Sequence, residues 1–255
     1  MVGAPAVAPK PSTARERIDR VATLGRMGTV CVIENSSDWH LGGLRGWLTD
    51  AGLEPVVVRP HAGDPIPADT SGHTALLALG GGSGAAWTPE LAALLRKAVA
   101  DRVPTLAVCS SARVLATSFG GGVAAVDDFR PGPRFAARRD AAESDPLFGP
   151  APMAMDVVWW RHQEITELPP EAVLLAASPH GVPEIFRIGD RAWGVQSHME
   201  LDGEMIRALG GDDDLARRVD DIAEFLDATW RPVMERFAAV AAGRTGGTML
   251  PLTEL

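Results

Sequence analysis

Apolar residues fall into short runs that alternate with stretches of helical spacing. "TVCVIENSS", from Thr29 to Ser37, is a β-rich apolar run ending in polar turn residues, and it predicts a buried strand. Beyond it Leu41, Leu44, Trp47 and Leu48 recur at helical spacing, with Gly52 placed to stop that helix. "EPVVVRP" predicts a second strand, closed by a proline. Thr74 to Leu79 predicts a third, running into the glycine loop "GGGSG". A helix is expected over "TPELAALLRKAVADRV", with Thr88 as N-cap, Pro89 in the first turn and Glu90 favouring the positive helix end. "PTLAVC" predicts a fourth strand and "SARVLATSFG" the helix after it.

Strand–helix alternation with such short apolar strands implies an α/β fold: a single doubly wound, mostly parallel sheet with helices on both faces. Ligands in these folds sit at the C-terminal ends of the strands, which puts the Gly80–Gly84 loop and Cys109 on the functional rim. From Ala124 to about Ala154 the chain reads as irregular, rich in Asp, Arg and Pro. Short strands are expected again at "AVLLAAS", "PEIFRIG" and "AWGVQSH". One or two amphipathic helices follow, carried by Leu215, Val219, Ile222, Phe225 and Leu226. No linker divides the chain, so one domain is expected over 27–243. Residues 1–26 read as a flexible arm with a short helix at "TARERIDRVATL", and 244–255 as a mobile tail.

Composition narrows the class. The 255 residues are 46% hydrophobic and 22% charged, ordinary for a chain that buries a sizeable core. A net charge of −9 argues against a nucleic-acid or anionic-membrane surface. No apolar run approaches the roughly 20 residues that cross a bilayer, and the first residues lack a signal-peptide pattern. Two cysteines, Cys31 and Cys109, build no disulfide scaffold and suit a reduced, cytoplasmic protein.

Cys31 lies inside a strand and reads as a small buried apolar residue. Cys109 ends its strand. It is either another such residue or a nucleophile at a helix N-terminus, where partial positive charge favours the thiolate. Its neighbours Ala107 and Ser111 are small, as a sharp nucleophile turn requires. A thiol hydrolase also needs a base and a group to orient it. His198 follows the strand "AWGVQS" and Glu200 lies two residues on, a pair that is also common on surfaces. His40, His61, His73 and His180 read as surface or loop residues. "GGGSG" lacks the phosphate-loop pattern, and no residue cluster has metal-site spacing.

Taken together these stretches resemble the class I glutamine amidotransferases, in particular stand-alone, GMP-synthase-like amidotransferase domains of flavodoxin-like fold. "PTLAVCSSAR" stands where that family has P-x-L-G-[IV]-C-x-G-x-Q, "GVQSHME" where it has G-V-Q-F-H-P-E, and "LGGG" where it has L-G-G-P. "WWRHQEITELP" looks like the family's W-x-S-H-x-D-x-V-x-x-L-P, and "DPLF" and "RAWGVQ" are similar to stretches of stand-alone members. The resemblance runs from about Val30 to Val240. It implies Cys109 as nucleophile, His198 as general base and acid, and Glu200 as its orienter. It also implies oxyanion binding by the Gly81 and Ser110 amides, with Gly82, Arg113 and His162 at the substrate. The implied reaction cleaves glutamine or a γ-glutamyl amide through a thioester, without cofactor or metal, with a separate synthase as a candidate acceptor of ammonia.

The sequence departs from the family around the thiol. Arg113 stands where the family uses a glutamine to hold the substrate's α-amino and α-carboxylate end. A guanidinium grips a carboxylate but repels an ammonium. It is either that, or a solvated residue facing outward from the helix. Ser111 replaces a glycine, Ser197 an aromatic and Met199 a proline. Three functions stay open: a glutamine amidotransferase-type hydrolase, a stand-alone γ-glutamyl hydrolase of a specialised pathway, and a non-catalytic binding module.

Overall fold

The computed structural model describes residues 28–82 and 84–244. The expected arm, its short helix and the tail beyond Arg244 lie outside the described residues. Nine strands form one sheet. In chain order these are β1 (Gly28–Ile33), β2 (Leu53–Val58), β3 (Ala75–Ala78), β4 (Thr105–Val108), β6 (Gly132–Arg138), β7 (Ala154–Trp159), β9 (Val173–Ala177), β10 (Pro183–Ile188) and β11 (Ala192–Val195). Their spatial order is β2-β1-β3-β4-β11-β10-β9-β6-β7. The first five in that order are mutually parallel, and β10, β9, β6 and β7 extend the sheet antiparallel. Two further strands, β5 (Gly122–Ala125) and β8 (Gln163–Glu167), pair as a separate ribbon.

Both faces of the parallel half are covered, so its strands are apolar on both sides. In β1, Val30 and Val32 join one core while Cys31 and Ile33 join the other, the period-two alternation of a pleated strand. Helices α2 (Thr88–Ala100) and α3 (Ser110–Ser118) cover the Cys31 face through Leu91, Leu94, Leu95 and Leu115. Helices α1 (Leu44–Asp50) and α6 (Ala223–Ala241) cover the other through Leu44, Leu48, Trp230, Val233 and Phe237. Trp47 Nε1 ties α1 to α6 by donating to Asp227 Oδ1 at 2.8 Å. Two short helices, α4 (Gly203–Ala208) and α5 (Asp213–Asp220), begin at Asp202 and Asp212, whose carboxylates cap them.

The alternation read from the sequence therefore holds, and two local expectations need correcting. Thr88 is the first helical residue of α2 and Trp87 occupies the cap position, without a side-chain cap bond. The stretch from Ala124 to Ala154 contains β6, although "GPRFAAR" has little intrinsic strand preference. Pairing decides it, since six consecutive residues of β6 sit in register opposite β7. Gly52 does end the α1 turn, at φ +87°.

Gly194 of β11 lies under the buried Phe186 ring of β10, and a Cβ there would overlap the ring. Gly194→Ala should cost roughly 1–3 kcal/mol by overpacking. Gly46, in α1 with nothing within 4 Å of a built Cβ, should gain up to about 1 kcal/mol as alanine. Denaturant melts of the two variants check both signs.

Candidate active site

β4 carries the chain to the C-terminal rim of the sheet, and Cys109 is the next residue. Its backbone has φ 54° and ψ −113°, a strained conformation for a residue with a side chain, costing on the order of 1–3 kcal/mol. Neighbouring hydrogen bonds hold it. Cys109 N donates to Val195 O of β11 at 2.8 Å, and Arg113 N donates to Cys109 O at 3.1 Å. Ala107 and Ser111 are fully buried, so the small residues on either side are what the tight turn admits. The thiol thus sits at the N-terminus of α3 and lines a cleft of about 510 Å³.

β11 delivers the imidazole. Three residues beyond its end, His198 exchanges two backbone hydrogen bonds with Val158, each 2.9 Å. The ring is fully buried, with Nδ1 2.7 Å from Glu200 Oε1. A carboxylate only accepts, so Nδ1 carries the proton and Nε2 is left for Cys109. Nε2 is buried and has no fully formed hydrogen bond. The second Glu200 oxygen accepts from Met199 N at 3.0 Å. Trp39 packs on the imidazole with ring centroids 4.5 Å apart. Thiol and imidazole meet around Gly80, where a built Cβ would lie 3.1 Å from Cys109 Cβ and 3.2 Å from His198 Cε1. Any larger residue there would press on both.

The two groups set each other's charge. Burial works against a Cys109 thiolate, but the charge and hydrogen bond of His198 and the charge of Arg113 outweigh it, bringing the thiol down to about 7. Burial likewise opposes the imidazolium, yet the Cys109 thiolate and the Glu200 carboxylate raise His198 to about 10. Near neutrality the pair favours thiolate and imidazolium. Cys31, also buried but without such partners, is pushed up to about 11 and is inert.

The structure brings the other candidate residues to the same place. Gly81, Gly82, Ser110, Arg113 and His162 all line the cleft with Cys109. Gly81 has φ +82°, and a Cβ on it would strike Ser36 and Trp39. Its carbonyl accepts from Ser110 Oγ at 2.6 Å, which ties together the two residues whose amides are implied as oxyanion donors. His162 is exposed and stacks on Phe129, centroids 4.1 Å apart. Arg113 does not face outward: it is 7% exposed, and Nη1 lies 3.7 Å from Cys109 Sγ and 3.2 Å from Gln163 O.

Two departures from the family pattern prove to be accommodated. Ser111 Oγ donates to Leu79 O at 2.6 Å and accepts from Asn35 Nδ2 at 3.2 Å, so its added bulk is satisfied. Met199, unlike a proline, has an N–H, and it is this N–H that holds Glu200. Sequence reasoning missed the support around the site. Asn35 bridges the loop after β1 to Leu79 O and Trp87. Arg161, on the cleft wall, makes a two-pronged buried ion pair with Glu184 at 2.8 and 3.0 Å and lies 4.0 Å over the Trp159 ring. Burial holds the Glu184 carboxyl above its usual range despite that partner. The structure uses Trp39 against His198, Trp87 on Asn35, and Trp193 of "RAWGVQ" on Asp145 of "DPLF" at 3.2 Å.

No protein-family model matches the chain. Among curated proteins it is similar to the aminodeoxychorismate synthase of Streptomyces griseus, at 35% identity over 109 residues, 42% of this chain and 15% of that protein. The chain therefore spans only a small part of that relative's length. Among solved structures, a glutamine amidotransferase from Methylobacillus flagellatus matches with TM-score 0.73 and 24% identity, over 88% of this chain and 99% of that one. One from Thermotoga maritima matches with TM-score 0.71 and 18% identity, over 84% and 99%. The fold is that of a class I glutamine amidotransferase domain. A proposed GMP synthase subunit from Thermoplasma acidophilum shares it, with TM-score 0.62, 18% identity and coverage of 86% and 96%.

Iodoacetamide should alkylate Cys109 at a rate that rises through pH about 7, because only the thiolate reacts. In His198→Ala the midpoint should move up, to at least the ordinary thiol range of about 8.5. Peptide mass mapping across a pH series measures both midpoints.

Proposed function

We propose that this chain is a cysteine-triad amide hydrolase of the glutamine amidotransferase type. The observation that carries the reading is one constellation: a strained, buried Cys109 beside His198, with Glu200 2.7 Å behind the ring. The Cys109 thiolate attacks a side-chain carboxamide carbon, forming a C–S bond and placing negative charge on the carbonyl oxygen. The amides of Gly81 and Ser110 receive that oxyanion; loss of one such donor costs about 3–4 kcal/mol. Collapse breaks the C–N bond, and the His198 imidazolium gives its proton to the departing amine. His198 then takes a proton from water, which attacks the γ-glutamyl thioester and releases glutamate and the thiol. Glu200 keeps the ring in the tautomer this cycle needs.

The ammonia has two destinations. A separate synthase could accept it, as a relative described as part of a synthase suggests. A stand-alone γ-glutamyl hydrolase would release it or an amine unaided, and Arg113 beside the nucleophile favours that second reading. The mutual charging of thiol and imidazole speaks against a purely non-catalytic module. A reducing compartment such as the cytoplasm suits a free thiolate; among the described residues no helix is long and apolar enough to cross a membrane.

Glutamate release from glutamine and γ-glutamyl amides tests the proposal. Cys109→Ala should lose at least about a thousandfold in kcat and Glu200→Gln about a hundredfold or more, as in other nucleophile–base–carboxylate systems. A Cys109→Ala protein as active as the parent would overturn the assignment.

A further inference from the structure

Arg113 sits one turn into α3, four residues after the nucleophile, and its guanidinium is turned back onto it. Nη1 lies 3.7 Å from Cys109 Sγ. The side chain borders the main cleft and also an adjoining lobe of about 280 Å³ walled by Asn35, Trp87 and Val123. A substrate that places a carbonyl on the sulfur comes within reach of this cation.

The surroundings offer an ammonium little. The described residues lining the two lobes include Arg113 and Arg161 and no Asp or Glu. Of the two, Arg113 lies against the sulfur, with Nη1 3.7 Å away. Among the nearby carbonyls, Gln163 O accepts from Arg113 at 3.2 Å, Gly81 O accepts from Ser110 Oγ at 2.6 Å, and Trp160 O lies 3.9 Å from Cys109 Sγ. A guanidinium stays protonated at any working pH and presents a planar fork that fits a carboxylate. A zwitterionic end brings attraction and repulsion together, so the ammonium offsets part of what the carboxylate gains. With the amine masked or missing, only the attraction remains.

Building on the amide-hydrolase reading of the same cleft, we infer that Arg113 determines specificity. The preferred substrates are ω-carboxamides that carry a carboxylate a few bonds away and whose α-amine is acylated or absent. The same guanidinium, with Nη1 3.7 Å from the sulfur, also steadies the attacking thiolate.

The test compares glutamine, N-acetylglutamine and glutaramic acid as substrates of the full chain. The parent should favour one or both amine-free compounds over glutamine by about tenfold or more in kcat/KM. Arg113→Gln should shrink that ratio by about tenfold, and Arg113→Lys, which keeps the charge, should preserve its direction. A loss of packing alone would lower all three rates and leave the ratios in place. A parent that prefers glutamine, or a ratio unmoved by Arg113→Gln, overturns the inference. A second readout separates the two readings: labelling of Cys109 by 6-diazo-5-oxonorleucine and its N-acetyl derivative, followed by intact mass. Faster labelling by the N-acetyl form in a protein that turns over none of the amides would sink the hydrolase reading and keep the specificity. Faster labelling by the free amine would sink the specificity alone, and no labelling by either would sink both.

Discussion

The hydrogen bond from Cys109 N to Val195 O, 2.8 Å long, joins two strands that meet nowhere near each other in the chain. β4 and β11 run parallel with Val108 opposite Val195, so the turn after one and the loop after the other emerge side by side. β4 ends in the thiol and β11 leads into the imidazole. The meeting of thiol and imidazole follows from this neighbourhood. Were β11 to slip by one residue, the pleat would turn its side chains to the other face and carry the following loop out of place.

That neighbourhood also explains why the site tolerates so much buried charge. Cys109, His198 and Glu200 lie together with almost no solvent exposure, and isolated ions so placed would be neutralised. Here each is the counter-charge of the next. The chain of groups ends on the Met199 amide at one side and on the Arg113 guanidinium at the other. Glycine at 80 puts no Cβ against Cys109 and His198, so the thiol and the ring approach each other directly. The strain at Cys109 is the cost of aiming the sulfur at this space, and the packed strands on either side supply the rigidity to hold it.

The departures around the thiol form a pattern. Ser111 and Met199 are absorbed by the scaffold, one through a hydroxyl that finds Leu79 O and Asn35, the other through an amide that finds Glu200. Arg113 is turned into the reaction space. A change that the scaffold absorbs leaves chemistry alone, whereas one that faces the cleft alters which ligands the charge field admits.

Much of the architecture was legible along the chain, because buried parallel strands and amphipathic helices impose their own periods on apolar residues. β1 to β4, α2, α3 and the strands of residues 173–195 stand out on that ground, as does the small-residue turn that marks Cys109. Strand β6 did not, since its residues become a strand only by pairing with β7. The direction of Arg113 was equally undecided: one turn into a helix, a residue faces solvent or cleft according to what packs against the other side. The distance between sulfur and imidazole, the pKa values they impose on one another, and the Arg161–Glu184 pair belong to the tertiary structure alone. Residues 89 positions apart in sequence interact only once the sheet order is set, and no local preference encodes that order.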